Sequence, residues 1–103
     1  MELLIITAAR VFEKDIKTLL KKGGVKTFSY TDVTGYKDPE KQSMSTNWFA
    51  SSVGEHQSVL FYAFVPKITV DEVMVQIKNL NEIEQSHSKI HVAVLDIKRM
   101  NNI

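Results

Sequence analysis

Ser58-Val59-Leu60-Phe61-Tyr62-Ala63-Phe64-Val65, stopped by Pro66, is the stretch on which the fold turns. Every residue after Ser58 is apolar or aromatic, and no polar position interrupts the run. A segment of this length and composition reads as a strand covered on both faces, at the centre of a sheet. Pro66 cannot donate to a strand ladder, so the strand ends before it. Met1 to Ala8 carries the same signature in Leu3-Leu4-Ile5-Ile6, giving a second central strand.

Outward from these two strands the periodicity changes. Phe12, Ile16, Leu19 and Leu20 recur at helical spacing. Lys21 and Lys22 fall in the last turn, where cations complement the helix dipole, and Gly23-Gly24 supplies the left-handed stop. Val25 to Tyr36 alternates instead, with Phe28, Tyr30 and Asp32 on one side and Ser29, Thr31 and Val33 on the other. One face is mostly polar, as expected of an edge strand. From Lys37 to Gln57 the pattern dissolves into serines, Pro39, Gly54 and scattered charge, and compact domains keep so long a loop for function. Beyond Pro66, Thr69-Val70-Asp71-Glu72 has capping-box spacing, with Ile68 and Val73 placed as a hydrophobic staple. The helix expected there buries Val70, Val73, Ile77 and Leu80 and ends near Glu84; Ile90 to Ile97 is the last strand.

The order predicts a single α+β domain over residues 1–103 with a ferredoxin-like βαββαβ fold. Right-handed crossovers put both helices on one face of a four-stranded antiparallel sheet. Yet the two central strands are apolar on both faces. The face without helices therefore needs a cover, and copies of the same chain are the expected one.

Composition narrows the function. With 103 residues there is no room for separate catalytic and substrate domains. Thirteen Lys and Arg against twelve Asp and Glu leave a net charge of +1, too little to draw nucleic acid or a membrane surface. The absence of cysteine removes disulfides, thiolate metal sites and cysteine nucleophiles, and suits the cytoplasm. No run approaches the ~18 apolar residues of a membrane span. Glu2 ahead of the short apolar start argues against a signal peptide, so the protein is expected to be soluble and cytoplasmic. No serine sits in G-x-S-x-G, and Asp15, Asp32, Asp71 and Asp96 fall on separate elements, so no enzyme is expected. His56, His87 and His91 are the weak metal candidates. Residues four apart in a strand lie about 13 Å apart, so surface histidines without a ligand role are the plainer reading. In the loop, Asn47-Trp48-Phe49 stands out among serines. Its aromatics either pack back on the body or anchor a partner protein.

Leu19-Leu20-Lys21-Lys22-Gly23-Gly24-Val25, followed by Tyr30-Thr31-Asp32-Val33-Thr34-Gly35-Tyr36, resembles the nitrogen-regulatory P-II family. Val70-Asp71-Glu72-Val73-Met74-Val75-Gln76-Ile77 and Ser88-Lys89-Ile90-His91-Val92 are similar to later segments of that family, in the same order. The resemblance implies a homotrimer whose long loop, here Lys37 to Gln57, is the T-loop that docks on a target such as a transporter or metabolic enzyme. It implies a small effector, usually an adenine nucleotide, in the clefts between subunits. Gly35, Tyr36 and Lys37 would then lie at the loop base, and Lys89 would stand where a family lysine meets phosphate. The chain departs from the pattern at Glu84 to His87, which replace glycines, and at Met100 and Asn102, which replace arginines. A carboxylate near the phosphates disfavours them, so the reading is a divergent P-II-like signalling protein with its effector unassigned. Related CutA-like trimers make a metal-binding or metal-tolerance trimer the alternative.

Overall fold

The computed structural model describes residues 1–38, 54–83 and 89–101. Strand β1 (Glu2–Ala9) runs through a 3-10 turn, Arg10–Phe12, into helix α1 (Glu13–Lys22). Strands β2 (Ser29–Lys37) and β3 (Gly54–Val65), helix α2 (Lys67–Ile83) and strand β4 (His91–Asp96) follow. The strands form one antiparallel sheet in the order β2-β3-β1-β4, the ferredoxin-like arrangement. The two apolar runs take the centre, and the half-polar β2 takes an edge, because only central strands gain burial on both sides.

Alternation sorts the side chains. Leu4, Ile6 and Ala8 of β1 and Val59, Phe61, Ala63 and Val65 of β3 face the helices. There they meet Phe12, Ile16, Leu19 and Leu20, together with Val70, Val73 and Ile77 of α2, all buried. Each larger side chain so buried contributes about 1.5–3 kcal/mol. At the β2 edge, Lys17 Nζ donates to the Tyr30 hydroxyl at 2.8 Å and meets Glu13 at 3.2 Å, while the Tyr30 ring stacks 5.1 Å from Phe61. The bond to Tyr30, then that to Glu13, raises the Lys17 pKa.

Gly23 and Gly24 have different jobs. Gly24 takes the left-handed φ of +92°, and its N–H donates to Lys21 O at 3.2 Å. Val25 N–H reaches back to Leu20 O at 2.9 Å, completing a Schellman end to α1. Gly23 stays right-handed, but a Cβ there would stand 2.9 Å from Val73 Cγ2 of α2. One glycine turns the chain; its neighbour lets two helices approach.

Several boundaries differ from the sequence reading, among them the start of β2, which is Ser29 and not Val25. Helix α2 starts at Lys67, with the Pro66 carbonyl accepting from Thr69 N–H at 3.0 Å and Val70 N–H at 3.2 Å. Thr69 is thus inside the first turn instead of capping it, and Ile68 is 80% exposed, so it staples nothing. Proline suits a helix start because its missing N–H would have had no partner there. Strand β3 starts at Gly54, four residues before Ser58, and Lys37 belongs to β2. The long loop read as Lys37 to Gln57 therefore has strand at both ends, and its residues 39–53 lie outside the described residues.

Candidate functional site

The extra length of β3 makes a ribbon. β1 pairs with β3 from Ser58 onward, whereas Gln57, His56, Glu55 and Gly54 pair with Thr34, Gly35, Tyr36 and Lys37 of β2. Beyond β1 the two strands continue as a pair. Arg10 braces its base from the helix side: Nη2 lies 3.3 Å from Asp32 Oδ2 on β2, and Nη1 donates to Gln57 Oε1 on β3 at 3.3 Å. These contacts are exposed and modest in energy, but they touch both strands where β1 ends.

Alternation separates the residues expected at the loop base. Gly35 and Lys37 lie on the face without helices, in line with Val33, Ser58 and His56. Tyr36 lies on the opposite face and is 63% exposed. Gly35 is buried beside its cross-strand partner His56. Two positions along β3, Ser58 is wholly buried, and its Oγ has no hydrogen-bond partner among the described residues. A buried hydroxyl left so costs about 1–3 kcal/mol. Thr7, also buried, pairs with His91 of β4 on this face. Burial holds the His91 imidazole below its ordinary pKa and so favours the neutral form.

The rest of this open face is apolar. Leu3 and Ile5 sit beside Phe64 and Tyr62 of β3 and beside Leu95 and Ala93 of β4. Tyr62 and Phe64 meet edge to face, with ring centroids 6.5 Å apart, and both are about half exposed, as is Leu95. The face thus has a greasy end and a more polar end, and the ribbon springs from the polar one.

Lys89 is held elsewhere. Its Nζ donates to the backbone carbonyl of Asn81 near the end of α2, at 3.0 Å. The Asn81 side chain meanwhile imitates a neighbouring strand: Nδ2 donates to Ile90 O at 2.9 Å, and Oδ1 accepts Ile90 N–H at 2.8 Å. This clamp borders a groove of about 530 Å3 between α2 and β4, lined by Met74, Val75, Ile77, Ile90 and Val92. Lys89 precedes β4 and Gly35 lies on β2, so they belong to opposite edges of the sheet. Three strand spacings, about 14 Å, separate those edges. A compact ion cannot touch both within one chain; an extended ligand, or a cleft between chains, could.

Of the residues named from sequence, the structure gathers Gly35, Lys37 and His56 on one face, turns Tyr36 away and ties Lys89 to α2. Asn47, Trp48, Phe49 and His87 lie outside the described residues. His56 and His91 stand on different strands with β1 between them. Among the described residues no three His, Asp or Glu side chains gather as a metal site. No helix among them is long and apolar enough to cross a membrane. Sequence reasoning missed the Asn81 clamp and Ser58. The one hint at Asn81 was a residue that competes with backbone partners, near a helix end.

Element order, sheet order and helix placement define a ferredoxin-like fold. The chain is similar to CPII, a nitrogen regulatory PII-like protein from Thiomonas intermedia solved bound to ADP, AMP and bicarbonate. Identity is 16%, the TM-score is 0.62, and the match covers 97% of this chain and 94% of that one. No protein-family model matches the sequence, and neither does any curated protein.

Proposed function

We propose that this single-domain chain is a PII-like regulatory protein that acts by binding and not by catalysis. Three copies pack through the open faces of their sheets, and a small effector occupies the clefts between them. The chain between Lys37 and Gln57, with Trp48 and Phe49, docks on a target protein in the cytoplasm, a transporter or metabolic enzyme. The observation that carries the reading is the open face: Tyr62, Phe64 and Leu95 are 43%, 49% and 46% exposed around Leu3 and Ile5. A soluble chain keeps so continuous an apolar surface for a partner.

Adenine nucleotide is the effector class, as in the structural neighbour, which was solved with ADP and AMP. Gly35 and Lys37 contribute from one sheet edge and Lys89 from the other. The effector acts by favouring one arrangement of the ribbon base over another, to the extent that it binds the two unequally.

Sedimentation velocity combined with calorimetry against ADP, AMP, ATP, cyclic AMP and bicarbonate tests the proposal. The expected result is a trimer with saturable nucleotide heat. A monomer at every concentration would defeat it. So would tight zinc or copper binding, lost on His56→Ala or His91→Ala, with no nucleotide heat.

A further inference from the structure

We propose that the outer edge of β4, with the groove beside it, docks a short extended peptide of a partner protein that is apolar at alternate positions. The inference stands apart from the effector reading and gives the protein a docking surface besides the segment between β2 and β3.

The edge supplies the backbone half of the site. β4 closes the sheet order β2-β3-β1-β4, and among the described residues no strand lies outside it. Every second residue of β4 turns its N–H and C=O away from β1. Exposed edges are ordinarily blunted by proline or lysine, and His91-Val92-Ala93-Val94-Leu95 contains neither. One end of the edge is closed, because the Asn81 side chain takes both backbone polar groups of Ile90. The stretch left for a partner strand is His91–Asp96.

The groove supplies the side-chain half. It lies on the helix side of β4, holds about 530 Å3 and is lined by Met74, Val75, Ile77 and Val92. Met74 and Val75 are about half exposed on α2, and Val92 and Val94 face the helices yet are only partly buried. Ile68, two turns before Val75 on the same stripe of the helix, extends the apolar surface toward the start of α2. A strand laid against β4 sends alternate side chains to the helix side, where the groove receives them. Lys78 and Glu82, of opposite charge, also line it, so it favours a segment without net charge.

Size selects a peptide over a folded copy. The six residues of β4 span about 20 Å, and with a layer spacing of about 10 Å the strip covers about 200 Å2. Folded partners in a stable complex each bury about 800 Å2. The groove also lies across the sheet from Tyr62, Phe64 and Leu95, away from the contact proposed between copies.

Calorimetry and amide hydrogen exchange on the full chain test the site with the peptide acetyl-Lys-Thr-Val-Thr-Ile-Thr-Val-Glu-amide. It should bind and slow the exchange of alternate β4 amides several-fold. Two further peptides carry N-methyl groups, one on its threonine amides and one on its valine and isoleucine amides. Only one of these sets can face β4, so one peptide should bind about tenfold more weakly and the other nearly as well as the parent. Val75→Glu, at an exposed helix position, should weaken binding about tenfold with circular dichroism unchanged, and Val75→Ile should keep it. No saturable heat at about 1 mM peptide overturns the proposal. Equal binding of the two methylated peptides, or binding indifferent to Val75→Glu, overturns it too. If the outward β4 amides are already protected without peptide, this chain or a second copy covers the edge, and the proposal fails. Nucleotide heat tests the effector reading separately, and neither result decides the other.

Discussion

If the proposed assembly forms through the open sheet face, replacing Phe64 by Asp is expected to dissociate it while leaving the fold of each chain intact. Phe64 points to the open face and is 49% exposed in the lone chain. Full burial of such a side chain is worth about 1.5–3 kcal/mol, so about 1 kcal/mol remains for a second chain to recover. Aspartate forfeits that and places a carboxylate beside Leu3 and Tyr62 on the apolar face, where an unpaired charge covered by a second chain costs several kcal/mol more. The sum, about 4 kcal/mol per subunit, weakens each contact about a thousandfold. In the isolated chain the carboxylate stays in water, and the fold loses about 1 kcal/mol, the part of Phe64 already buried beside Leu3 and Tyr62. Sedimentation velocity over a concentration series, with circular dichroism on the same samples, reads both consequences. Phe64→Leu, apolar and smaller, should still assemble. The reasoning is refuted if the Asp variant sediments like the wild type, or if the wild type is itself monomeric at tens of micromolar.

Three further outcomes follow from local geometry. Gly24→Ala forces a side chain into φ +92°, at a cost of about 1–2 kcal/mol in the denaturant midpoint, and Gly24→Asn should cost less. Asn81→Ala strips both polar partners from Ile90, whose residue is 3% exposed, and should destabilise the chain by about 3 kcal/mol, measured by urea unfolding. His91 is held neutral in the fold, with a pKa below its ordinary 6.5, so the unfolded chain takes up the proton first. Stability should be full above pH 6.5 and fall as pH drops from there toward the lower folded value. Melting temperatures across that window, steeper in the wild type than in His91→Asn, would bear this out.

The sequence was most readable where burial decides the structure. The unalternating runs at Leu3–Ile6 and Val59–Val65 named the central strands, and their surplus of apolar side chains named the uncovered face. The paired glycines marked the end of α1, although the separate tasks of Gly23 and Gly24 depend on Val73, fifty residues away. The beginning of β3 was not readable, for a physical reason. Gly54 to Gln57 pair with β2 alone, outside the span of β1, so ladder hydrogen bonds hold them and no apolar pattern records them. The capping-box letters at Thr69 to Glu72 misled because Pro66 already starts the helix. At the site, resemblance brought Gly35, Lys37 and Lys89 forward. The contact that holds Lys89 depends on a backbone carbonyl eight residues back, which no side-chain pattern encodes.

The ribbon has a mechanical consequence. A two-stranded ladder cannot slide by one residue without exchanging its faces, which would swap Gly35 and Lys37 for Tyr36. Twisting costs it far less, since two-stranded ribbons show the widest range of strand twist. The pair leaving the sheet at Ser58 is therefore a torsion spring, rigid in length and soft in rotation. A push at its root, whether from a ligand beside Gly35 or through Arg10, reaches its far end as a change of heading rather than of reach.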